Sequence, residues 1–118
     1  MKKILVAEDN DSNFILMSYI LKKYYEFERA KNGQEAVDMA DKNSYDIVLM
    51  DIKMPVMDGL EATKKIKEAH PDLPIIALTA NAFDSDRMLA IEAGCSDFLA
   101  KPISSDACLE AIKKLIGE

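Results

Sequence analysis

The sequence has little that would carry it into or across a membrane. Its apolar runs are four or five residues long, against the roughly 20 residues needed to span a bilayer. No charged-then-apolar segment of the signal type opens it. These absences point to a cytoplasmic location and no membrane partner. Basic charge is also scarce: 15 Lys and Arg against 21 Asp and Glu give a net charge of -6. No basic stripe remains to neutralise a run of phosphates, which argues against direct nucleic-acid binding. Cysteine is limited to Cys95 and Cys108, in different expected elements and without C-x-x-C spacing. Neither a metal knuckle nor a redox pair is indicated, and two reduced, part-buried thiols are expected. The single histidine, His70, precedes Pro71 at the end of an expected helix. It reads as a solvent-facing residue near the negative end of the helix dipole rather than as a phosphodonor. Repeats, linkers and low-complexity stretches are missing too, so residues 1–118 are expected to form one domain.

What is present is a regular series of short apolar segments. Ile4-Leu5-Val6-Ala7, Ile47-Val48-Leu49-Met50, Pro74-Ile75-Ile76-Ala77-Leu78 and the weaker Phe98-Leu99-Ala100 lack in/out alternation, as strands covered on both faces of a parallel sheet do. Glu26-Phe27-Glu28-Arg29-Ala30 alternates and suits an edge strand. Helical spacing fills the gaps. Met17, Ile20, Leu21 and Tyr24 form one face after a cap at Asp11 or Ser12, and Ala36, Val37 and Ala40 form another after Asn32-Gly33. Leu60, Thr63 and Ile66 follow Asp58-Gly59; Met88, Ile91 and Glu92 run from Asp84 to a stop at Gly94. Ala111, Ile112 and Leu115 repeat after a cap at Ser104 or Ser105. Five strands alternating with five helices predict an α/β fold with a doubly wound parallel sheet.

Open parallel sheets hold their sites outside the carboxyl ends of the strands, near the point where strand order reverses. There stand Glu8 and Asp9 after the first apolar run, Asp51 after the third strand, Thr79 after the fourth and Lys101 after the fifth. Any one of them could be a helix-capping residue; five polar side chains converging from four strands are harder to explain that way. At ~4 Å and an effective dielectric near 20, each pair of like charges costs about 4 kcal/mol. Three carboxylates therefore imply a cation, and an all-oxygen set without His or Cys favours a hard ion, Mg2+ ahead of Ca2+, with manganese possible. A divalent ion, an ammonium and a hydroxyl are the parts that hold a phosphoryl group in transfer, and a carboxylate is already an anionic nucleophile. The product would be an acyl phosphate on one of the three acids.

Taken together, Ile4-Leu5-Val6-Ala7-Glu8-Asp9-Asn10, Leu49-Met50-Asp51-Ile52-Lys53-Met54-Pro55-Val56-Met57-Asp58-Gly59, Ala77-Leu78-Thr79-Ala80 and Phe98-Leu99-Ala100-Lys101-Pro102 resemble the receiver domains of two-component response regulators, chemotaxis receivers included. The resemblance covers essentially the whole chain. It implies the flavodoxin-like strand order 2-1-3-4-5, an order documented for such sheets in general, and a receiver without an output domain. It implies Asp51 as phosphoacceptor, with Glu8, Asp9, Asp51 and the backbone carbonyl of Lys53 around Mg2+, Glu8 acting through bound water. Lys101 would pair with the acceptor and then with a phosphoryl oxygen, Thr79 would hydrogen-bond another, and Phe98 would be the aromatic switch that follows Thr79. A cis Lys101-Pro102 bond is implied, aiming the lysine inward. Lys53 and Asn81 occupy positions that in that family influence how long the phosphoryl group survives. Gly59 fits an unusual backbone turn, and Met54-Pro55 a stiffened loop.

The implied function is a switch, not an enzyme with outside substrates: a histidine kinase or histidine phosphotransfer protein donates to Asp51, and a downstream protein target reads the surface of the fourth helix, fifth strand and fifth helix, around Ala82, Phe83, Arg87 and Phe98. The phrases Met57-Asp58-Gly59-Leu60-Glu61-Ala62-Thr63 and Ala77-Leu78-Thr79-Ala80-Asn81-Ala82 look more like receivers of hybrid histidine kinases than like those of transcription factors. Two other classes compete. A phosphatase with an aspartyl-phosphate intermediate would place a second carboxylate two residues after its nucleophile, where this chain has Lys53. A flavin-binding module would need a phosphate-cradling loop after the first strand, where Glu8 and Asp9 would repel the phosphate.

Overall fold

The computed structural model describes residues 2–80 and 84–117, with the side chains of residues 84–86 left out of the description. Five strands, β1 (Lys3–Ala7), β2 (Glu26–Ala30), β3 (Ile47–Asp51), β4 (Ile75–Thr79) and β5 (Asp97–Ala100), alternate with five helices. These are α1 (Asp11–Leu21), α2 (Gly33–Lys42), α3 (Gly59–Ala69), α4 (Asp84–Ala93) and α5 (Ser105–Ile116). The strands form one parallel sheet in the order β2-β1-β3-β4-β5. Chain order reverses between β1 and β3, which makes the gap between their carboxyl ends the natural place for a site.

The period of two along each strand divides the core between the faces. Leu5, Ala7, Val48, Met50, Ile75 and Ala77 pack with Ala36, Ala40, Ala62, Ile66 and Ala90 of α2, α3 and α4. Ile4, Val6, Ile47, Leu49, Ile76 and Leu78 pack with Met17, Ile20, Leu21, Cys108, Ala111 and Ile112 of α1 and α5. Both neighbours in a strand are thus buried, which is why β1, β3 and β4 read as unbroken apolar runs. Both cysteines are free and buried. No described helix is long and apolar enough to cross a membrane.

Several local expectations need correction. The cap of α1 is Asn10, whose side chain accepts from the Asn13 backbone N–H at 2.9 Å, and neither Asp11 nor Ser12, which lie inside the helix. Asn32 and Asp58 cap α2 and α3, and of the two serines expected for α5 the cap is Ser104. Tyr24 is exposed and Tyr25 is buried in its place, because α1 ends at Leu21 and the following turn no longer keeps helical phase. In α4 the large apolar residues Met88, Leu89 and Ile91 lie on the surface, while Ala90 and Ala93 face inward; small side chains let the helix approach the sheet. The final strand, β5, is an edge and only half buried. His70 caps the end of α3 and pairs with Asp41 of α2 at 2.9 Å, so it is not simply bathed in solvent.

The glycine expectation also shifts. The positive φ in the loop after β3 belongs to Val56 (68°), not to Gly59. What Gly59 requires is room: a Cβ there would collide with the Asp51 backbone carbonyl oxygen and sit 2.8 Å from the Ile52 Cα. Its N–H donates to the Ile52 carbonyl at 2.7 Å, locking α3 against the end of β3. Gly59→Ala should therefore lower unfolding free energy by roughly 2–4 kcal/mol through overpacking against rigid backbone. Gly117→Ala, at φ 78° with open space around it, should lose only about 1 kcal/mol. Urea unfolding of both variants measures the contrast; equal losses would refute the close-approach account.

Candidate functional site

The register brings the candidate side chains together. Ala7 stands opposite Met50 across β1 and β3, Asp51 opposite Leu78 across β3 and β4, and Thr79 opposite Ala100 across β4 and β5. The residues that end or follow these strands must therefore share one rim. Glu8, Asp9, Asp51, Thr79 and Lys101 all line a cavity of about 230 Å³, together with the main chain or side chains of Asn10, Asn13, Lys53 and Ala80. Lys101 precedes a cis peptide bond to Pro102.

Within the cavity, Glu8, Asp9 and Asp51 each offer a carboxylate oxygen within 4.8 Å of the others. Glu8 is fully buried and Asp51 and Thr79 nearly so, whereas Asp9 opens to solvent. The Lys101 ammonium lies 3.0 Å from Glu8 Oε1 and 3.2 Å from Asp51 Oδ1. The Asn10 backbone N–H reaches Glu8 Oε2 at 3.3 Å. For Glu8 Oε1 the ammonium is an ionic neighbour without the alignment of a hydrogen bond, and among the described residues nothing else bonds to that buried oxygen. A buried carboxylate oxygen left in this state is under-compensated.

The electrostatics follow from the crowding. Burial first, and then the Glu8 carboxylate beside it, push Asp51 up to about 7, against the opposing pull of Lys101. Burial works against the charge of Lys101, yet the close contact with Glu8 and the fields of Asp51 and Glu8 prevail and raise its pKa. One ammonium serves two buried acids while a third stands at the mouth, so the site has an excess of negative charge. An all-oxygen set with an under-compensated buried oxygen and an open side fits a hard divalent cation that keeps some of its water.

Among the other expected residues, Lys53 lines the cavity with an exposed side chain. Phe98 is half buried on β5, outside the cavity lining, with the Arg87 guanidinium 4.7 Å from its ring centre. Asn81, Ala82 and Phe83 lie outside the described residues. Two residues escaped the sequence reading. Asn13 sits one helical turn after Asn10 and so faces the same rim, a spacing that could have found it. Arg29, on β2, donates from Nε to the Glu8 carbonyl at 3.0 Å and from Nη2 to the Asp9 carbonyl at 3.3 Å; no local pattern announces that reach.

Without a cation, the raised pKa of Asp51 has a definite consequence for stability. Between its unfolded value near 4 and about 7 the folded protein binds the extra proton, so stability falls as pH rises through that window. Asp51→Asn should be more stable than the parent at pH 8, by an amount on the order of a few kcal/mol, and so melt higher, with the gap narrowing towards pH 5. Adding Mg2+ at pH 8 should raise the parent's Tm more than the variant's. Calorimetric melts at the two pH values, with and without the ion, decide the point.

Comparison with known proteins agrees with this geometry. Hybrid signal transduction histidine kinase B of Dictyostelium discoideum is 42% identical over 129 residues, covering 97% of this chain and 7% of the kinase. The chain thus spans only a small part of the hybrid kinases it matches. The polar-differentiation response regulator DivK of Brucella anthropi is 37% identical over 120 residues, covering 99% of this chain and 98% of DivK. A receiver domain of a Pseudomonas aeruginosa sensor histidine kinase, with a magnesium ion coordinated in its active-site cleft, superposes with a TM-score of 0.92 at 38% identity, covering 99% of this chain and 98% of that one. A Saccharomyces cerevisiae response-regulator receiver domain, co-crystallised with a histidine phosphotransfer protein, gives a TM-score of 0.93 at 30% identity over 98% of this chain and 89% of that one. Residues 4–113 match the family model of the response regulator receiver domain, and the chain belongs to that family of phosphorylation-controlled switches in two-component signalling.

Proposed function

We propose that residues 1–118 work as one receiver unit in which Asp51 takes a phosphoryl group from a histidine kinase or a histidine phosphotransfer protein. The observation that carries this reading is the meeting of three carboxylates and one ammonium at the carboxyl rim of the sheet. Among the acids, Asp51 is the one that ends the central strand β3, in ionic contact with Lys101. The relative crystallised with a phosphotransfer protein supports the class of donor.

In the transfer, a carboxylate oxygen of Asp51 forms a bond to phosphorus as the bond from phosphorus to the donor imidazole nitrogen breaks, and that nitrogen leaves with the electron pair. Glu8, Asp9 and Asp51, with the Lys53 backbone carbonyl, would hold Mg2+, and the magnesium in the cleft of the Pseudomonas aeruginosa receiver supports that ion. When bound, the ion supplies positive charge against the phosphoryl oxygens. Lys101 is already within 3.2 Å of the acceptor and needs only a small shift to meet a transferred oxygen. Thr79, at the end of β4, offers a hydroxyl to another. Positioning and charge neutralisation of this kind make up most of what phosphoryl transfer requires.

The transfer is self-directed. Lys53 stands two residues after the acceptor, where a phosphatase would want a proton-donating acid, and this supports a single event per donor over turnover of outside substrates. The readout would then run through Thr79 and Phe98 to the surface of α4, β5 and α5, where Met88, Leu89 and Ile91 present apolar side chains to a downstream protein.

Incubation with acetyl phosphate and Mg2+, followed by intact-mass measurement, should add one phosphoryl group to the parent and none to Asp51→Asn. Omitting Mg2+ should abolish the gain, and Lys101→Ala should slow it at least tenfold through loss of the ammonium. Uptake that persists in Asp51→Asn would sink the assignment. Beryllofluoride with Mg2+ should shift the amide resonances of Phe98 and of residues 88–91; an unmoved α4 and β5 would contradict the proposed readout.

A further inference from the structure

Arg29 belongs to the edge strand β2 and does not line the acidic cavity, yet its guanidinium holds the loop on which two of the three acids stand. That loop is short: β1 ends at Ala7 and Asn10 already caps α1. Its first N–H, from Glu8, donates to the Ala30 carbonyl at 3.0 Å. The next two carbonyls, of Glu8 and Asp9, both receive the Arg29 fork, at 3.0 Å and 3.3 Å. The same guanidinium pairs with Asp11 at 2.9 Å and lies 4.7 Å from the centre of the Phe14 ring. Phe14 in turn packs edge-on against Phe27, two residues before Arg29 on the same face of β2. With its side chain only 17% exposed, Arg29 is fixed on every side.

The consequence concerns the opposite side of the loop. Glu8 and Asp9 turn their carbonyls towards Arg29 and place their side chains in the cavity. A planar guanidinium can bridge two successive carbonyls and an acid with fixed geometry, which a single ammonium cannot. The Asp11 pair is largely exposed on its acid side, 82%, and so contributes little by itself; the two carbonyl bonds matter most. We propose that Arg29 is a positioning residue for the cation site, setting the Glu8–Asp9 backbone so that divalent-ion affinity depends on a side chain outside the cavity. The proposal rests on the reading of the acidic cluster as an Mg2+ site.

Mg2+ titration by calorimetry tests it directly, with no need for phosphorylation. Arg29→Ala should weaken the Mg2+ Kd about 10–100-fold, the range usual for residues that orient metal ligands from outside. Arg29→Lys, able to serve one carbonyl but not both, should fall between the two. Ile66→Val, which thins the core on the opposite face of the sheet from Phe14 and Phe27, should lower Tm but leave the Mg2+ Kd within about twofold of the parent, in the manner of an ordinary packing change. Phosphorylation by acetyl phosphate in Arg29→Ala should approach the parent rate once Mg2+ is raised to saturation, because the defect lies in ion binding. A parent that binds Mg2+ alongside an Arg29→Lys or Arg29→Ala variant that binds it equally well overturns the role of Arg29 alone. A parent that binds no Mg2+ overturns the cation reading and this proposal together. A rate deficit that persists at saturating Mg2+ would show Arg29 acting on the transfer itself and would also overturn it.

Discussion

Glu8 and Asp51, two carboxylates withdrawn from water, share the ammonium of Lys101, and much of the structure around them holds that arrangement in place. Left to themselves, buried acids a few ångströms apart would protonate or separate. Asp51 takes the first escape as its pKa rises to about 7; the second is closed. Asp51 is the last residue of β3, flanked in the sheet by β1 and β4, while Glu8 is tied to β2 through its own N–H and its carbonyl. The sheet is the rigid support, and the crowding at its rim is what makes the rim receptive to positive charge.

The support itself was legible because two sealed faces leave a plain signature. When both neighbours along a strand are buried, alternation vanishes, and Ile47-Val48-Leu49-Met50 could hardly be anything but an interior strand. Asp51, Thr79 and Lys101 were then readable as rim residues because each stands at the point where such a run stops. The strand order was a different matter: nothing in the residues of β1 and β3 states which neighbour each takes, and the order came from resemblance. The same holds for the choice of Asp51 over Glu8 and Asp9, which chemistry alone left open.

What could not be read were features set by contacts between distant segments. Helical spacing in α4 offers two faces, and the larger apolar residues favour the wrong one; only the closeness of the sheet selects Ala90 and Ala93. Gly59 looked like a residue needed for its freedom, but the Asp51 carbonyl is what excludes a side chain there. Arg29 lies 21 residues from the carbonyl of Glu8 that it holds, and an arginine on an edge strand is ordinarily just a solvated charge. These are the places where tertiary approach overrides local pattern.

The inward alanines of α4 have a mechanical meaning. A helix is held to its sheet by the apolar area it withdraws from water, and a methyl group withdraws little. Among its described side chains, α4 buries Ala90 and Ala93, where α1 buries Met17, Ile20 and Leu21 and α5 buries Cys108, Ala111 and Ile112. Like α2, which buries Gly33, Ala36 and Ala40, it is lightly moored, with no large side chain keyed into the sheet among its described residues. Such a mooring resists sliding and tilting weakly, and local opening is cheapest where few apolar groups must be exposed. A disturbance at the rim of β4, the strand that precedes this helix in the chain, meets less resistance there than it would at α1 or α5.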